Sequence, residues 1–179
     1  MLALRRGLMR DLEGERISWV DPGRFHITLR FLGDTLLSDV AKVSRALKQG
    51  RMHSDAQEIP LRGVGSFGPR KRPRVIWAGF ADNAWFKGLK EEVDELLEKQ
   101  GIPRQAQPFT AHLTLGRIRS LRDLSRYQEI MGRVENEAFE PVCFSKLVYY
   151  RSILGAGGPE YLTLEEIKLS GSRSGRRLS

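Results

Sequence analysis

Two short apolar segments of the sequence carry the same pattern, a histidine followed two positions later by a threonine. They read His26-Ile-Thr28-Leu and His112-Leu-Thr114-Leu, and they lie 86 positions apart (112 − 26) in a chain of 179 residues. In a β-strand, side chains two positions apart share a face, so each segment presents an imidazole and a hydroxyl together and turns apolar side chains to the core. One such strand is common. Two copies in a chain with three histidines indicate a repeated functional unit.

The remaining sequence alternates predicted strands with amphipathic helices. The 3.6-residue periodicity predicts helices at 2–12, 34–47, 84–100 and 121–134. Alternation and apolar runs predict strands at 25–32, 59–64, 75–80, 112–118, 142–154 and 161–169. Because several neighbouring strands have hairpin-length connections, we expect an α+β fold with largely antiparallel sheets and not a doubly wound parallel sheet.

The domain organisation follows from where this pattern repeats and where it stops. A strand and then a helix recur after each histidine, which suggests an internal duplication and two lobes. We therefore expect a single domain of two lobes over residues 1–169. Residues 170–179 have no apolar pattern and are expected to form a basic, disordered tail.

The charge of the chain points to a polyanionic partner. Thirty Lys and Arg residues against 22 Asp and Glu give a formal net charge of +8. Nucleic acid is the first partner to consider and an anionic membrane surface the second, since a compact basic protein attracts both. The sequence has no apolar run of about 18 residues or more and no secretory signal pattern, so we expect a cytoplasmic monomer without a membrane segment.

The paired motifs favour acid-base chemistry on a phosphate ester. The ordinary pKa of histidine, about 6.5, allows one neutral imidazole to activate water while a protonated one donates to a leaving oxygen. Each role is typically worth about 10²–10⁴-fold in rate. Threonine hydroxyls can donate to non-bridging phosphate oxygens. A zinc site remains an alternative that would need His53 as a third ligand, but no acidic partner stands at motif spacing.

These residues resemble the two-histidine (2H) phosphoesterases, and within them the RNA 2′,3′-cyclic phosphodiesterases historically called RNA 2′-5′ ligases. The resemblance rests on the paired His-x-Thr-x motifs and covers residues 2–169. Its further motifs are Trp19-Val20, Phe31-Leu-Gly-Asp34, Pro73-Arg-Val-Ile-Trp77, Tyr150-Arg-Ser152 and Gly157-Gly-Pro-Glu-Tyr161.

The resemblance implies a bilobed, pseudo-symmetric fold in which outer helices surround a central cleft. It also implies hydrolysis of RNA 2′,3′-cyclic phosphate ends, or of cyclic-phosphate nucleotides, to 2′-phosphomonoesters without a metal or cofactor. In that chemistry His26 is the general acid, His112 is the general base, and Thr28 and Thr114 hold the phosphate oxygens. The pseudo-symmetry leaves the acid and base labels interchangeable.

Further positions near the motifs are candidate substrate contacts. By alternation Arg30 shares the face of His26 and could bind phosphate, whereas Arg117 has the opposite parity from His112. Arg117 therefore reaches phosphate only if the strand bulges, although the resembled family commonly has a basic residue there. Phe31 could stack on a base, but alternation favours a core position. The basic loop Arg70–Arg74 is either an RNA contact or a solvated hairpin tip.

The start of the sequence and the exact activity leave alternatives open. The resembled family begins with a strand of the type Arg-Leu-Phe-hydrophobic-Ala before the first helix, and this sequence begins in that helix. We hypothesise a mis-assigned start codon or a truncated chain. Independently of this, the function could be RNA 2′-5′ ligation or hydrolysis of another cyclic nucleotide. Loss of the strand could also leave a non-catalytic relic of the fold that binds RNA.

Overall fold

The computed structural model describes residues 1–155 and 158–170, except for the side chains of residues 154–159. Within that part of the chain, four helices, seven strands and a 3₁₀ turn (Pro22–Arg24) follow one another. They are α1 (Leu2–Asp11), β1 (Arg16–Trp19), α2 (Leu37–Gln49), β2 (Gln57–Phe67), β3 (Val75–Phe80), α3 (Ala84–Glu98), β4 (Leu113–Ser120), α4 (Leu124–Val134), β5 (Ala138–Phe144), β6 (Lys146–Gly155) and β7 (Gly158–Lys168). The strand pairs β1/β4, β2/β3, β3/β4 and β6/β7 are antiparallel, which confirms the α+β fold class.

Two compact units share the chain, and their stretches interleave along the sequence. Unit 1 consists of Met1–Leu29, Glu58–Asn83 and Phe109–Val142. Unit 2 consists of Arg30–Gln57, Ala84–Pro108 and the chain from Cys143 onward. The units are therefore not two successive halves of the sequence, and both histidine motifs belong to unit 1.

Unit 1 contains a five-stranded sheet with the strand order β1-β4-β3-β2-β5. Helices α1 and α4 belong to the same unit. The predicted stripe of α1 is confirmed, because Leu4, Leu8 and Leu12 are all buried. The hydroxyls of Ser66 on β2 and Tyr127 on α4 lie 2.6 Å apart and form a hydrogen bond. Burial raises the pKa of Tyr127, and the bond to Ser66 opposes that shift. This bond ties α4 to the sheet.

Unit 2 combines the β6/β7 hairpin with α2 and α3. The apolar stripe predicted for α3 is buried at Phe86, Leu89, Val93 and Leu97. In α2, Val43 and Leu47 are buried as well. A Cβ atom on Gly50, which ends α2, would clash with the backbone carbonyl oxygen of Ala46 as well as with the side chain of Leu96. Because the carbonyl belongs to the backbone and cannot move aside easily, this position favours glycine.

Two predicted strands differ from the structure. Residues 25–33 form neither strand nor helix, so the alternation of Phe25 to Leu32 is not accompanied by sheet pairing. The strand predicted over 142–154 is two strands, because β5 joins the sheet of unit 1 whereas β6 pairs with β7. Ser145 separates them, and its carbonyl accepts a hydrogen bond from Leu169. Neither glycine nor proline marks this break, so periodicity did not reveal it.

The other predicted elements are confirmed, with no end displaced by more than three residues. Residues 156 and 157 of the predicted 155–159 turn and residues 171–179 of the predicted tail lie outside the described residues. Ser170 bridges to Asp55. Among the described helices, none has the length and apolar character needed to cross a bilayer.

Glu92 on α3 fixes the backbone of the loop that contains His53. Its carboxylate accepts hydrogen bonds from the amide of His53 (2.7 Å) and from the amide (3.3 Å) and hydroxyl (2.6 Å) of Ser54. Burial tends to raise the pKa of Glu92, but these bonds outweigh it and hold the pKa below its ordinary value.

We expect Glu92→Gln to destabilise the protein at neutral pH and to flatten its acid unfolding. A carboxyl group with a lowered pKa stabilises the fold above its unfolded-state pKa, and that contribution is lost as the pH falls through the folded-state pKa. Urea unfolding of both proteins between about pH 3 and pH 7 measures the difference. Glu95→Gln, an exposed position on the same helix, is the control. A constant difference across this range would contradict the assignment.

Candidate active site

A β-bulge in β4 decides which side chains share a face with His112. Val75 pairs with Arg117, and Trp77 pairs with Thr114. Two steps along β3 therefore correspond to three steps along β4. The register shift leaves Leu115 as the extra residue of β4. Paired residues place their side chains on the same face, and therefore Thr114 and Arg117 share one.

The sequence analysis required a bulge for Arg117 to share the face of His112, and β4 contains this bulge. His112 lies directly before β4, two positions from Thr114, and is half-buried, whereas Arg117 is exposed. The opposite face is the core, where Leu113 and Ile118 are buried. We call the surface that carries His112, Thr114 and Arg117 the open face of the sheet.

Both imidazoles are held in the same way. The Nδ1 atom of His26 lies 2.8 Å from the carbonyl oxygen of Arg24, and Nδ1 of His112 lies 2.9 Å from that of Thr110. Because a carbonyl oxygen can only accept, each Nδ1 carries the hydrogen, and each Nε2 becomes the atom that gains or loses a proton. The two motifs thus share tautomer and anchoring as well as sequence, and this bond does not distinguish an acid from a base.

The segment of His26 begins beside β4. The amide of Val20, at the end of β1, donates to the carbonyl of Leu115 at 2.9 Å. The chain then turns at the 3₁₀ turn, where the Asp21 carboxylate accepts from the amide of Gly23 at 2.8 Å. His26 follows with an exposed side chain, and Thr28 is half-buried.

Phe67, which the sequence did not single out as a site residue, lies next to His112, and Trp77 lies next to Phe67. The ring of Phe67 meets the imidazole edge-to-face with centroids 4.7 Å apart, and it contacts Trp77 at 5.3 Å. Trp77 lies across Gly65, where the close approach of the indole leaves no room for a Cβ atom. Phe67 remains 41% exposed. The alternation of Gly65 and Phe67 before the basic loop was the available signal, but it does not reveal a partner 45 positions away (112 − 67).

Arg30 occupies a different environment from the other predicted site residues. It belongs to unit 2, where its side chain is 6% exposed and its Nη1 lies 2.5 Å from the carboxylate of Asp94, itself 2% exposed. Its Nη2 donates to the carbonyl of Pro103, and Lys90 binds the second oxygen of Asp94. The strand alternation that placed Arg30 on the face of His26 does not apply, because the segment is not a strand. Both terminal nitrogens of Arg30 are engaged within unit 2, which favours a packing role, and phosphate binding by Arg30 stays a prediction.

The remaining predictions for this region concern Phe31 and a metal. Phe31 is 73% exposed, so its predicted core position is wrong, again because strand alternation does not hold between residues 25 and 33. Stacking stays open for it. Within the described residues, no three His, Cys, Asp or Glu side chains gather as metal ligands do.

Comparison with protein families gives one match across most of the chain. The model of the family described as LigT-like phosphoesterase matches residues 1–77 and 82–161. Several curated relatives are named RNA 2′,3′-cyclic phosphodiesterase, among them the following two. The relative from Aeropyrum pernix is 32% identical over 89% of this chain and 90% of its own length, and that from Aquifex aeolicus is 33% identical over 86% and 82%.

Solved structures resemble the chain over nearly its full length. A crystal structure of a Thermus thermophilus protein is 28% identical, covers 96% of this chain and 94% of its own, and has a TM-score of 0.66. The structure of E. coli LigT complexed with 3′-AMP is 20% identical, covers 94% and 92%, and has a TM-score of 0.70. The latter likeness is evidence of fold alone.

We expect Arg30→Ala to lower the free energy of unfolding by about 3 kcal/mol or more, because it removes one partner of a buried ion pair. Urea denaturation without substrate measures this loss. Arg117→Gln, which removes an exposed guanidinium, is the control and should leave stability within about 0.5 kcal/mol. Unchanged stability of Arg30→Ala would contradict a packing role and favour phosphate binding by Arg30 instead.

We also expect nitrogen NMR at alkaline pH to find the hydrogen of both His26 and His112 on Nδ1. The two backbone carbonyls fix this tautomer. His26→Gln and His112→Gln variants assign the signals. Hydrogen on Nε2 in either ring would contradict the shared anchoring.

Proposed function

Because this chain belongs to the LigT-like phosphoesterase family, we propose that it hydrolyses the 2′,3′-cyclic phosphate ends of RNA to 2′-phosphomonoesters. The observation that carries the proposal is the identical anchoring of the two motif imidazoles through Nδ1 to the carbonyl two residues before each ring. Two rings with matching Nε2 atoms are the equipment for one proton transfer to, and one from, a reacting phosphate. Relatives named for this reaction support the substrate class.

In the proposed reaction His112 acts as general base and His26 as general acid. Nε2 of His112 takes a proton from a water molecule, whose oxygen forms a bond to phosphorus. The bond from phosphorus to the 3′ oxygen breaks, and Nε2 of His26 donates its proton to that oxygen. The product carries a 2′-phosphate and a 3′-hydroxyl. No covalent enzyme intermediate is required, and the same equations hold with the two histidines exchanged.

Three side chains would stabilise the phosphate during this step. The hydroxyls of Thr28 and Thr114 would donate to non-bridging oxygens, where charge accumulates as phosphorus becomes five-coordinate. Arg117 lies on the open face with Thr114 and has no carboxylate partner within the described residues. Its charge is therefore available for the phosphate. The complex of E. coli LigT with 3′-AMP shows that a protein of this fold can hold a nucleotide monophosphate.

The experiment uses a 2′,3′-cyclic mononucleotide and a short RNA that ends in the same group, both with EDTA present. We expect His26→Ala and His112→Ala each to lower kcat by about 10²–10⁴-fold, since each removes one proton-transfer role. His53→Ala, which removes the third histidine, is the matched control and should retain activity. Ion-exchange chromatography of the product separates a 2′-phosphate from a 3′-phosphate.

Four outcomes would contradict the proposal. Turnover that survives both substitutions would remove the histidines from the chemistry. Loss of activity on addition of EDTA would favour the zinc alternative and predicts that His53→Ala is inactive too. Joining of the cyclic end to a 5′-hydroxyl RNA in place of hydrolysis would favour the ligase. RNA binding with no turnover of either substrate would favour a non-catalytic relic.

A further inference from the structure

Six cations of unit 1 cluster around one end of β4 without neutralising partners. None of them forms an ion pair with a carboxylate in the part of the chain that the structure describes, and all are exposed. They are Arg70, Lys71, Arg72, Arg74, Arg117 and Arg119. Elsewhere Lys42, Lys48, Arg104, Arg133 and Lys146 each pair with an acidic side chain. Among the described residues, exposed cations without an ion pair also occur elsewhere, for example Arg6 and Arg45, but these six lie on the loop after β2 and on β4, which pairs with β3 directly after that loop.

Four of these cations line a single groove. It encloses about 270 Å³ between the loop after β2, the end of β4 and the start of α4. Its walls contain no carboxylate. The lining residues are Lys71, Arg72, Pro73, Arg74, Ile118, Arg119, Ser120, Leu121 and Leu124. We call this feature the basic groove. A lining of exposed cations and apolar side chains suits a chain that alternates phosphates with sugars and bases.

Two acidic residues close to the start of α4, Glu15 and Asp123, bind backbone amides. The Glu15 carboxylate accepts from the backbone amides of Arg122 (2.6 Å) and Asp123 (3.2 Å). Asp123 caps α4 by accepting from the amide of Arg126 at 2.9 Å. Both carboxylates therefore stabilise backbone groups.

The loop that carries three of the four groove cations, Lys71, Arg72 and Arg74, is held by backbone hydrogen bonds. The amide of Arg72 donates to Pro69 at 2.7 Å, and the amide of Arg74 donates to Phe67 at 2.8 Å. The carbonyl of Arg74 accepts from Ile118 of β4 at 2.8 Å, and Gly68 takes a φ of +110° that favours glycine. Because the loop is already ordered, little conformational entropy would be lost when an anion binds.

We propose that the basic groove binds the phosphodiester backbone of the RNA that precedes the cyclic phosphate. This inference rests on the proposed function, because the reacting end must lie at His112. Strand β4 connects the two places: Arg119 stands five positions after Thr114, which corresponds to at most about 17 Å in a strand, since the bulge shortens this stretch. Arg117 lies between them on the open face. A few nucleotides on the 5′ side of the cyclic end span this distance. A concave groove fits a single strand of RNA better than the flat surface of a membrane.

The test compares a cyclic mononucleotide with a hexanucleotide that ends in the same cyclic phosphate. We expect the wild-type KM to be several-fold lower for the hexanucleotide, because only the longer substrate reaches the groove. Lys71→Gln/Arg72→Gln should raise the KM of the hexanucleotide several-fold and leave that of the mononucleotide unchanged. Since each phosphate contact to a single strand contributes about 0.7 to the slope of log affinity against log salt, this variant should lower the slope by about 1.4.

Matched controls separate groove binding from general charge. Arg6→Gln/Arg45→Gln removes two exposed charges from α1 and α2 and should change neither KM nor slope. Arg119→Gln is an independent groove variant. In the wild type, Nε of Arg119 donates to the hydroxyl of Ser18 at 3.2 Å. Circular dichroism checks that each variant is folded, and a double variant that did not fold would leave Arg119→Gln to decide.

Binding of a fluorescent hexanucleotide to His112→Ala reports the groove without catalysis. No turnover of the mononucleotide would overturn the proposed function, whereas equal KM values for the two substrates would overturn the groove alone. An equal effect of the groove and control variants would also overturn it. Groove-dependent sedimentation with phosphatidylserine vesicles, together with groove-independent RNA binding, would identify a membrane surface as the ligand instead.

Discussion

The one-residue bulge in β4 is the constraint on which the arrangement of unit 1 depends. In a regular strand, Thr114 and Arg117 would lie on opposite faces, and the apolar side chain of Ile118 would point away from the core. The extra residue Leu115 reverses the alternation after Thr114, so Ile118 stays buried while Arg117 becomes exposed on the side of His112. A single bulge thereby keeps Ile118 buried in the core and places the positive charge of Arg117 on the open face.

The prediction from sequence succeeded where a pattern is local or repeated. The spacing of His26 and Thr28 was found again at His112 and Thr114, and the structure adds that both rings are anchored alike. Helix stripes such as Leu4, Leu8 and Leu12 were equally accessible, because a helix satisfies its backbone within the segment. The roles of these residues in catalysis stay predictions.

Prediction failed where the answer depends on a distant partner. The segment around Phe31 alternates like a strand, but a strand exists only if another strand pairs with it, and here none does within the described residues. Arg30 pairs with Asp94, 64 positions away, which no periodicity could indicate. The contact of Phe67 with His112 also joins residues that are distant in sequence, so no local pattern indicates it. The sequence could state the condition for Arg117, a bulge, but could not decide whether it was met.

The identical anchoring of His26 and His112 has a consequence for repeated turnover. After one hydrolysis the ring that began neutral holds a proton, and the ring that began charged has lost one. The two histidines have therefore exchanged protonation states. This state matches the requirement of the reverse reaction, recyclisation of the product, as closely as the starting state matches hydrolysis. The rings alone therefore impose no direction. In the proposed enzyme, direction would come from the ring strain of the cyclic phosphate and from the large excess of water, and proton exchange with solvent at the exposed His26 would only restore the starting state.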